Sequence, residues 1–141
     1  MAAAAAVITT AAAGVGTKLI SNQTLDTTSD VTFNNVALKG FKETKVSASY
    51  ATPFAPDVST ATVWTMTLTG GLTFNGFTNA STGQSATFIL TQDGTGGRAL
   101  TSTMKFAGGS KTLSTAGTST DIISVFYDGS NYWASLAKGY A

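Results

Sequence analysis

The sequence predicts an all-β fold, and three observations support this class. Short apolar runs that alternate with Thr and Ser recur at about ten-residue intervals after residue 60, which is typical of short strands. Gly, Asn and Asp separate those runs as turn signals. After Asn22, no segment has the apolar stripe of an amphipathic helix. We therefore predict a C-terminal antiparallel β-sandwich, jelly-roll-like in topology, over residues 57–141.

The first 21 residues differ in composition from the rest of the chain. They are mostly Ala and carry no basic cluster before the apolar run, so a secretory signal peptide is not predicted. Thr and Gly interrupt the run, whereas a transmembrane helix needs about 20 predominantly apolar residues. We expect no membrane insertion. Residues 1–21 are interpreted as an attachment arm that docks on another protein, with a frayed terminus as the alternative.

Residues 22–56 form the second predicted region, a fibre-like β-segment with a connector. Burying each of its few large apolar side chains is worth only about 1.5–3 kcal/mol. Ordering each residue costs roughly 1–2 kcal/mol of backbone entropy, so this segment needs neighbouring chains. Both prolines, Pro53 and Pro56, lie at its end. Because proline cannot donate to a strand ladder, residues 46–56 are interpreted as the connector.

Alternation assigns the strands of the C-terminal region. In residues 62–69, Trp64, Met66 and Leu68 share one face and mostly Thr occupies the other. Asn75-Gly76 is a strong hairpin signal. The run 121–127 is apolar on both faces, which requires a central position or cover by a partner. Further strands are predicted at 72–74, 86–90, 100–106 and 132–136.

The composition argues against catalysis and nucleic-acid binding. The chain has no His and no Cys, which excludes Ser-His-Asp triads and zinc sites built from thiolate or imidazole. Most of the seven carboxylates stand at turn positions, where Asp caps its own backbone. A net charge of +1 offers no basic stripe for a phosphate backbone. We expect no enzyme activity, no catalytic residue, no metal and no cofactor.

The glycine-rich stretch 94–98 lacks the Gly-Lys-Ser/Thr ending of a phosphate-binding loop. It is interpreted as a flexible hairpin loop. Arg98 is the only arginine. Its role, as partner of a carboxylate or as part of a loop tip, stays open.

Aromatic residues near the C-terminus form the candidate binding surface. Tyr and Trp combine an apolar body with a polar group, which suits sugar rings and protein partners alike. The polar loop 128–131 can add hydrogen bonds to a glycan. Packing in the core or between subunits is the alternative role, and alternation allows only part of the set to share one surface. The candidate residues are Tyr127, Asp128, Asn131, Tyr132 and Trp133.

One segment also carries a family resemblance. Residues 24–38 read TLDTTSDVTFNNVAL and follow Asn22-Gln23. This pattern resembles the repeat N-Q-T-L-x-T-T-x-x-V-T-F-x-x-V of bacteriophage tail fibres and related virion fibres. GTGGR, FAGG and SVFYDGSNYW resemble fibre and tail-tip β-domains more loosely.

The resemblance implies a non-enzymatic structural protein of a bacteriophage virion, most simply a homotrimer. The arm 1–21 would bind other virion proteins, residues 22–56 would form a short intertwined β-stalk, and the C-terminal domain would project. The leading role is a short tail fibre or fibre-like appendage that contacts the host surface, including a surface glycan. A trimeric capsid decoration or cement protein, and a carbohydrate-binding module, are the alternatives. The expected location is the tail or capsid surface of the virion.

Overall fold

The computed structural model describes residues 37–140. The chain divides into two units, Met1–Leu38 and Lys39–Ala141, and all strands given below belong to the second. The attachment arm, residues 1–21, and the first part of the fibre-like segment, residues 22–36, lie outside the described residues.

The described residues form eight strands and one short 3₁₀ turn, Ala107–Gly109. A six-stranded sheet has the order β1-β2-β4-β7-β8-β6, and β3 and β5 form a two-stranded sheet. The strands are β1 Lys45–Ser47, β2 Val63–Leu68, β3 Leu72–Thr73, β4 Ser85–Gln92, β5 Leu100–Thr101, β6 Lys105–Phe106, β7 Thr120–Tyr127 and β8 Tyr132–Tyr140.

In the first part of the sheet, the chain winds like a solenoid between two layers. β1, β2 and β4 pair in parallel, and the chain leaves the sheet between them to run through a second layer. In that layer Phe54 bridges Phe74 in parallel, and β3 pairs with β5 in parallel. Each turn thus adds one strand to the sheet and one short extended segment to the second layer. We call this solenoid-like region, residues 45–101, the coil stack.

The second part of the sheet is built by a hairpin. β7 pairs antiparallel with both β4 and β8, and the turn at residues 128–131 joins β7 to β8. We call β7, the turn and β8 the terminal hairpin. β6 pairs in parallel with the start of β8 and is the edge strand on that side.

One hydrophobic core lies between the inner face of the large sheet and the second layer. Its centre is aromatic: the ring of Phe74 lies 4.6 Å from that of Phe88 and 5.4 Å from that of Phe54. Edge-to-face and tilted pairs of this kind add to the burial of apolar surface. The terminal hairpin contributes Ile123 and Val125 to the same core.

The prediction of an all-β fold is confirmed for the described residues. Strands were also predicted correctly at β2, β4, β7 and β8, and Met66 and Leu68 point inward as expected, with Trp64 half-buried beside them. The two-sided character of β7 is real, since Ile123 is fully buried while Phe126 is 43% exposed.

The expectation of an antiparallel domain is wrong for the coil stack, where every strand pair is parallel. Asn75-Gly76 does not form a hairpin. The chain continues from β3 into the second layer, and Gly76 takes a φ of 122°. A Cβ at Gly76 would lie 2.6 Å from the ring of Tyr132, so this glycine serves close packing, and the turn signal was misleading.

The predicted connector contributes to this domain. β1 pairs with β2, and Phe54 packs in the core. The predicted strand at 100–106 is split into β5 and β6, which belong to different sheets. No helix among residues 37–140 is long and apolar enough to cross a membrane.

Candidate binding groove

The outer face of the large sheet carries two contrasting rows of side chains at one end. Cross-strand partners Ser85, Phe126, Trp133 and Lys105 form the first row, one residue from each of four strands. The next row on the same face consists of hydroxyls. It contains Thr87, Ser124 and Ser135. An aromatic pair therefore lies beside a line of hydroxyl groups, with an ammonium group at the sheet edge.

These rows line a groove of about 460 Å³, a volume in the range of small-molecule sites, roughly 300–1,000 Å³. Phe106 and Ala107 add to its wall. The two aromatic residues are open to solvent, since Phe126 is 43% and Trp133 is 47% exposed. The lining contains one charged side chain, Lys105, and no carboxylate.

The Trp133 indole is held by two charged neighbours. Its Nε1–H donates a 2.6 Å hydrogen bond to Oδ2 of Asp128, and the Lys105 ammonium lies 4.7 Å from the ring centroid. A cation at that distance from the ring is attracted by the π-system. The indole is thus fixed in orientation before any ligand arrives.

Asp128 owes its position to the hairpin turn. Its Oδ1 accepts hydrogen bonds from the backbone N–H groups of Ser130 at 2.8 Å and Asn131 at 2.6 Å, the geometry that favours Asp at turns. The hydrogen bond from Trp133, followed by those from the two backbone groups, holds the pKa of Asp128 well below its ordinary value. The carboxylate is therefore charged at neutral pH and fully engaged within the turn.

Tyr127 and Tyr132 belong to the opposite side of the hairpin from Trp133. Their rings stack with centroids 4.7 Å apart. The Tyr132 hydroxyl donates to the carbonyl of Phe77 at 2.6 Å, and the Tyr127 hydroxyl donates to that of Gly129 at 2.9 Å. Burial, with a smaller effect of Tyr127, raises the pKa of Tyr132.

The five predicted residues therefore do not share one surface. Asp128 and Trp133 are in contact at the groove, and Asn131 closes the turn with a backbone and a side-chain bond to Asp128. Tyr127 and Tyr132 pack against the core. Strand alternation separates Tyr132 from Trp133, which are neighbours in sequence.

The groove residues on β4 and β6 were not found from the sequence. Lys105 and Phe106 are distant from Trp133 in sequence but pair beside it through β6 and β8. Ser85 and Thr87 enter through the antiparallel pairing of β4 with β7. Alternation within each strand predicts which residues share its outer face, yet the neighbours of that face depend on a strand order that no local pattern specifies.

Two further polar clusters in the described chain have structural roles. Arg98 pairs with Asp93 at 2.6 Å, and the hydrogen bond from Arg98 is the main cause that lowers the pKa of Asp93. The loop 94–98 is tightly built, because Gly96 donates to Asp93 and Gly97 donates to Thr115 at 2.9 Å.

Asp121, on β7, is buried and accepts three hydrogen bonds. They come from the backbone N–H and hydroxyl of Ser114 and from the N–H of Gly139. Within residues 37–140, no group of three or more acidic side chains could hold a metal ion.

The comparison with protein families identifies a family that this chain matches. The sequence profile of the family described as "Putative phage tail fibre C-terminal domain" matches residues 54–132, more than half of the chain. No curated protein and no solved structure matches the chain. The resemblance to phage tail fibres is thereby confirmed, and the match covers most of the core and the hairpin turn.

Proposed function

Because the chain belongs to the phage tail fibre C-terminal domain family, we propose that it is a non-enzymatic structural component of a phage tail. In this proposal it forms a short fibre or fibre-like appendage that contacts the host surface. The family favours the tail over the capsid surface, and so disfavours the decoration or cement alternative. A carbohydrate-binding module remains an alternative, and the groove is the feature that favours it.

The observation that supports a structural role is that the acidic side chains stabilise turns and loops of the fold. In the described chain, the carboxylates of Asp57, Asp93 and Asp128 cap turns, and that of Asp121 binds backbone and hydroxyl donors. Each is engaged in holding the fold together. This arrangement leaves no pair of free carboxylates in the groove of the kind that glycoside hydrolysis requires.

Exposed apolar residues support a homotrimer. Leu38 is 65% and Phe41 is 79% exposed, although both have large apolar side chains. They precede β1, which has no strand partner on its outer edge among the described residues. An open strand edge and exposed apolar side chains each favour association with further chains. We propose that neighbouring copies cover this segment in the assembled trimer.

The trimer is tested by native mass spectrometry of the full chain. The wild-type protein is expected to show three copies, and Phe41→Ser should shift the distribution towards monomer. Phe126→Ser is the matched control, since it removes an exposed ring from the groove and should leave the trimer intact. A folded wild-type monomer at micromolar concentration contradicts the proposal.

Attachment through residues 1–21 is the second part of the proposal. Deleting residues 2–20 should leave the melting transition and the trimer mass nearly unchanged while incorporation into particles falls sharply. Immunogold labelling of intact phage checks both position and occupancy. Label on capsid faces instead of the tail contradicts the tail assignment, and wild-type occupancy of the truncated protein places attachment elsewhere.

A further inference from the structure

We infer that the groove on the outer sheet face binds an acidic saccharide, a sugar chain that carries carboxylate or phosphate groups. This inference rests on the proposed function, because it names the chemistry of the surface that the fibre would contact. Of the five surface residues predicted from the sequence, Trp133 is the one that lines this groove. The groove residues that carry the argument are Ser85, Lys105, Ser124, Phe126, Trp133 and Ser135.

The aromatic pair supplies the apolar part of the recognition. Phe126 and Trp133 are cross-strand partners, so their Cβ atoms lie about 4.5–5.5 Å apart, and both rings project on the outer face. The apolar face of a pyranose ring packs on such surfaces for the same reason that aromatic residues dominate interfaces. Because Asp128 already accepts the indole N–H of Trp133 and Lys105 lies over the ring, the indole offers a ligand the face that Lys105 leaves open and not its hydrogen-bond donor.

The hydroxyl row supplies the polar part. Ser124 and Ser135 are paired across β7 and β8, one step from the aromatic pair on the same face. Both are exposed, and within the described chain neither hydroxyl makes an intramolecular hydrogen bond. A serine hydroxyl both donates and accepts, which matches the mixed character of sugar hydroxyls. Two rigid strands hold these groups, so little ordering is needed on binding.

The charge of the groove selects an acidic ligand. Lys105 is the one charged side chain that lines the groove. Among residues 37–140, the ion pair is Arg98–Asp93, which lies outside the groove and does not involve Lys105. The Lys105 ammonium therefore has the Trp133 ring, and no carboxylate, as its partner in the described chain. An exposed ammonium over an aromatic ring, with no carboxylate among the groove residues, favours a ligand that brings its own negative charge.

The inference is tested on an array of uronic-acid and phosphorylated oligosaccharides, each printed beside its neutral parent. The trimeric wild-type protein should bind at least one acidic saccharide ten or more times as strongly as the neutral parent. Lys105→Gln should abolish that preference, while Lys138→Gln, a lysine on β8 outside the groove lining, should keep it. Equal binding of acidic and neutral forms, or no binding of either, overturns the inference.

The indole signals in a ¹H–¹⁵N spectrum give an independent readout. The chain has two tryptophans, and Trp64 is half-buried with its N–H donated to Ala61. Titration with the strongest array saccharide should shift the Trp133 signal and leave that of Trp64 in place. A reversed pattern contradicts the groove as the site.

The two levels of proposal fail separately. If immunogold finds the protein on tails and the array shows no acidic preference, the structural role stands and the saccharide inference fails. If the array shows the preference and the protein is missing from tails, the tail assignment fails and the binding site stands.

Discussion

The coil stack and the terminal hairpin bury residues on the same inner face, but they bring partners together over different distances along the chain. In the hairpin, Tyr127 pairs with Tyr132 across a short turn. In the stack, Phe54 must meet Phe74 and Leu72 must meet Leu100. Closing longer loops costs more chain entropy. The stack therefore depends on its buried aromatic centre, whereas the hairpin has a local turn to define it.

The largest expected effect comes from removing that aromatic centre. Phe74 is fully buried between Phe54 and Phe88, so Phe74→Ala should lower the free energy of unfolding by about 3–5 kcal/mol. Chemical denaturation measures the change. Phe126→Ala is the matched control on the exposed face of the hairpin, and it should cost less than about 1 kcal/mol. Similar losses for both variants contradict the burial of Phe74 and the exposure of Phe126.

The second effect concerns the open end of the terminal hairpin, where β7 begins and β8 ends. Asp121 lies at the start of β7 and receives donors from Ser114 and from Gly139 at the end of β8. Asp121→Ala leaves those donors without an acceptor and should cost about 1–3 kcal/mol, the range for buried polar groups that lose their partner. Ser114→Ala removes one donor only and should cost about 1 kcal/mol. An unfolding free energy unchanged in Asp121→Ala contradicts this role.

The third effect measures how firmly the hairpin is attached to the stack. The Tyr132 hydroxyl donates to Phe77, 55 residues away in sequence, so Tyr132→Phe should cost about 1 kcal/mol. Tyr127→Phe is the control, because its hydroxyl bonds Gly129 within the same turn and is exposed. Thermal denaturation of the two variants compares them. A larger loss for Tyr127→Phe indicates that the turn, and not the tie to the stack, limits stability.

These two regions also explain how much of the fold the sequence predicts. Alternation located β2, β4, β7 and β8 because one face of each strand is buried, which is a local pattern. The Asp128–Asn131 turn was recognised because its Asp, Gly, Ser and Asn residues are also a local signal. Parallel pairing leaves no such mark, since its partners are joined through a layer change and not a turn. Asn75-Gly76 shows the consequence. This turn motif forms no hairpin, and its glycine packs against the ring of Tyr132.

The candidate site likewise contains residues that the sequence predicts and residues that it does not. Trp133 and Asp128 are close in sequence, and their proximity in the loop region was predicted. Lys105 and Ser85 join them only because β6 and β4 flank the hairpin in the sheet. A site assembled from four strands needs the strand order, and the sequence alone predicts the outward-facing residues of each strand without their neighbours.

The smallest effect is a pH dependence that belongs to the hairpin turn. The fold lowers the pKa of Asp128 below the ordinary value of 3.8, chiefly through the hydrogen bond from Trp133. A group with a lowered folded-state pKa stabilises the fold above its unfolded pKa, and this contribution is lost as the pH falls through the folded value. Asp128→Asn should therefore melt below wild type at neutral pH and lose less on acidification. Because Asp128 is only half-buried, solvent screening keeps the difference small.

Melting temperatures between about pH 7 and pH 1 measure this dependence, and the Trp133 indole signal shows whether its bond to Asp128 persists. Asp93→Asn is the counterpart in the coil stack, where Arg98 is the main cause of the lowered pKa. The acid sensitivity of that site should weaken in high salt, because salt screens a partly exposed ion pair more than a hydrogen bond from a neutral indole. If the Asp128→Asn protein keeps the full acid sensitivity of wild type, the turn carboxylate does not contribute, and the acid response must come from the stack.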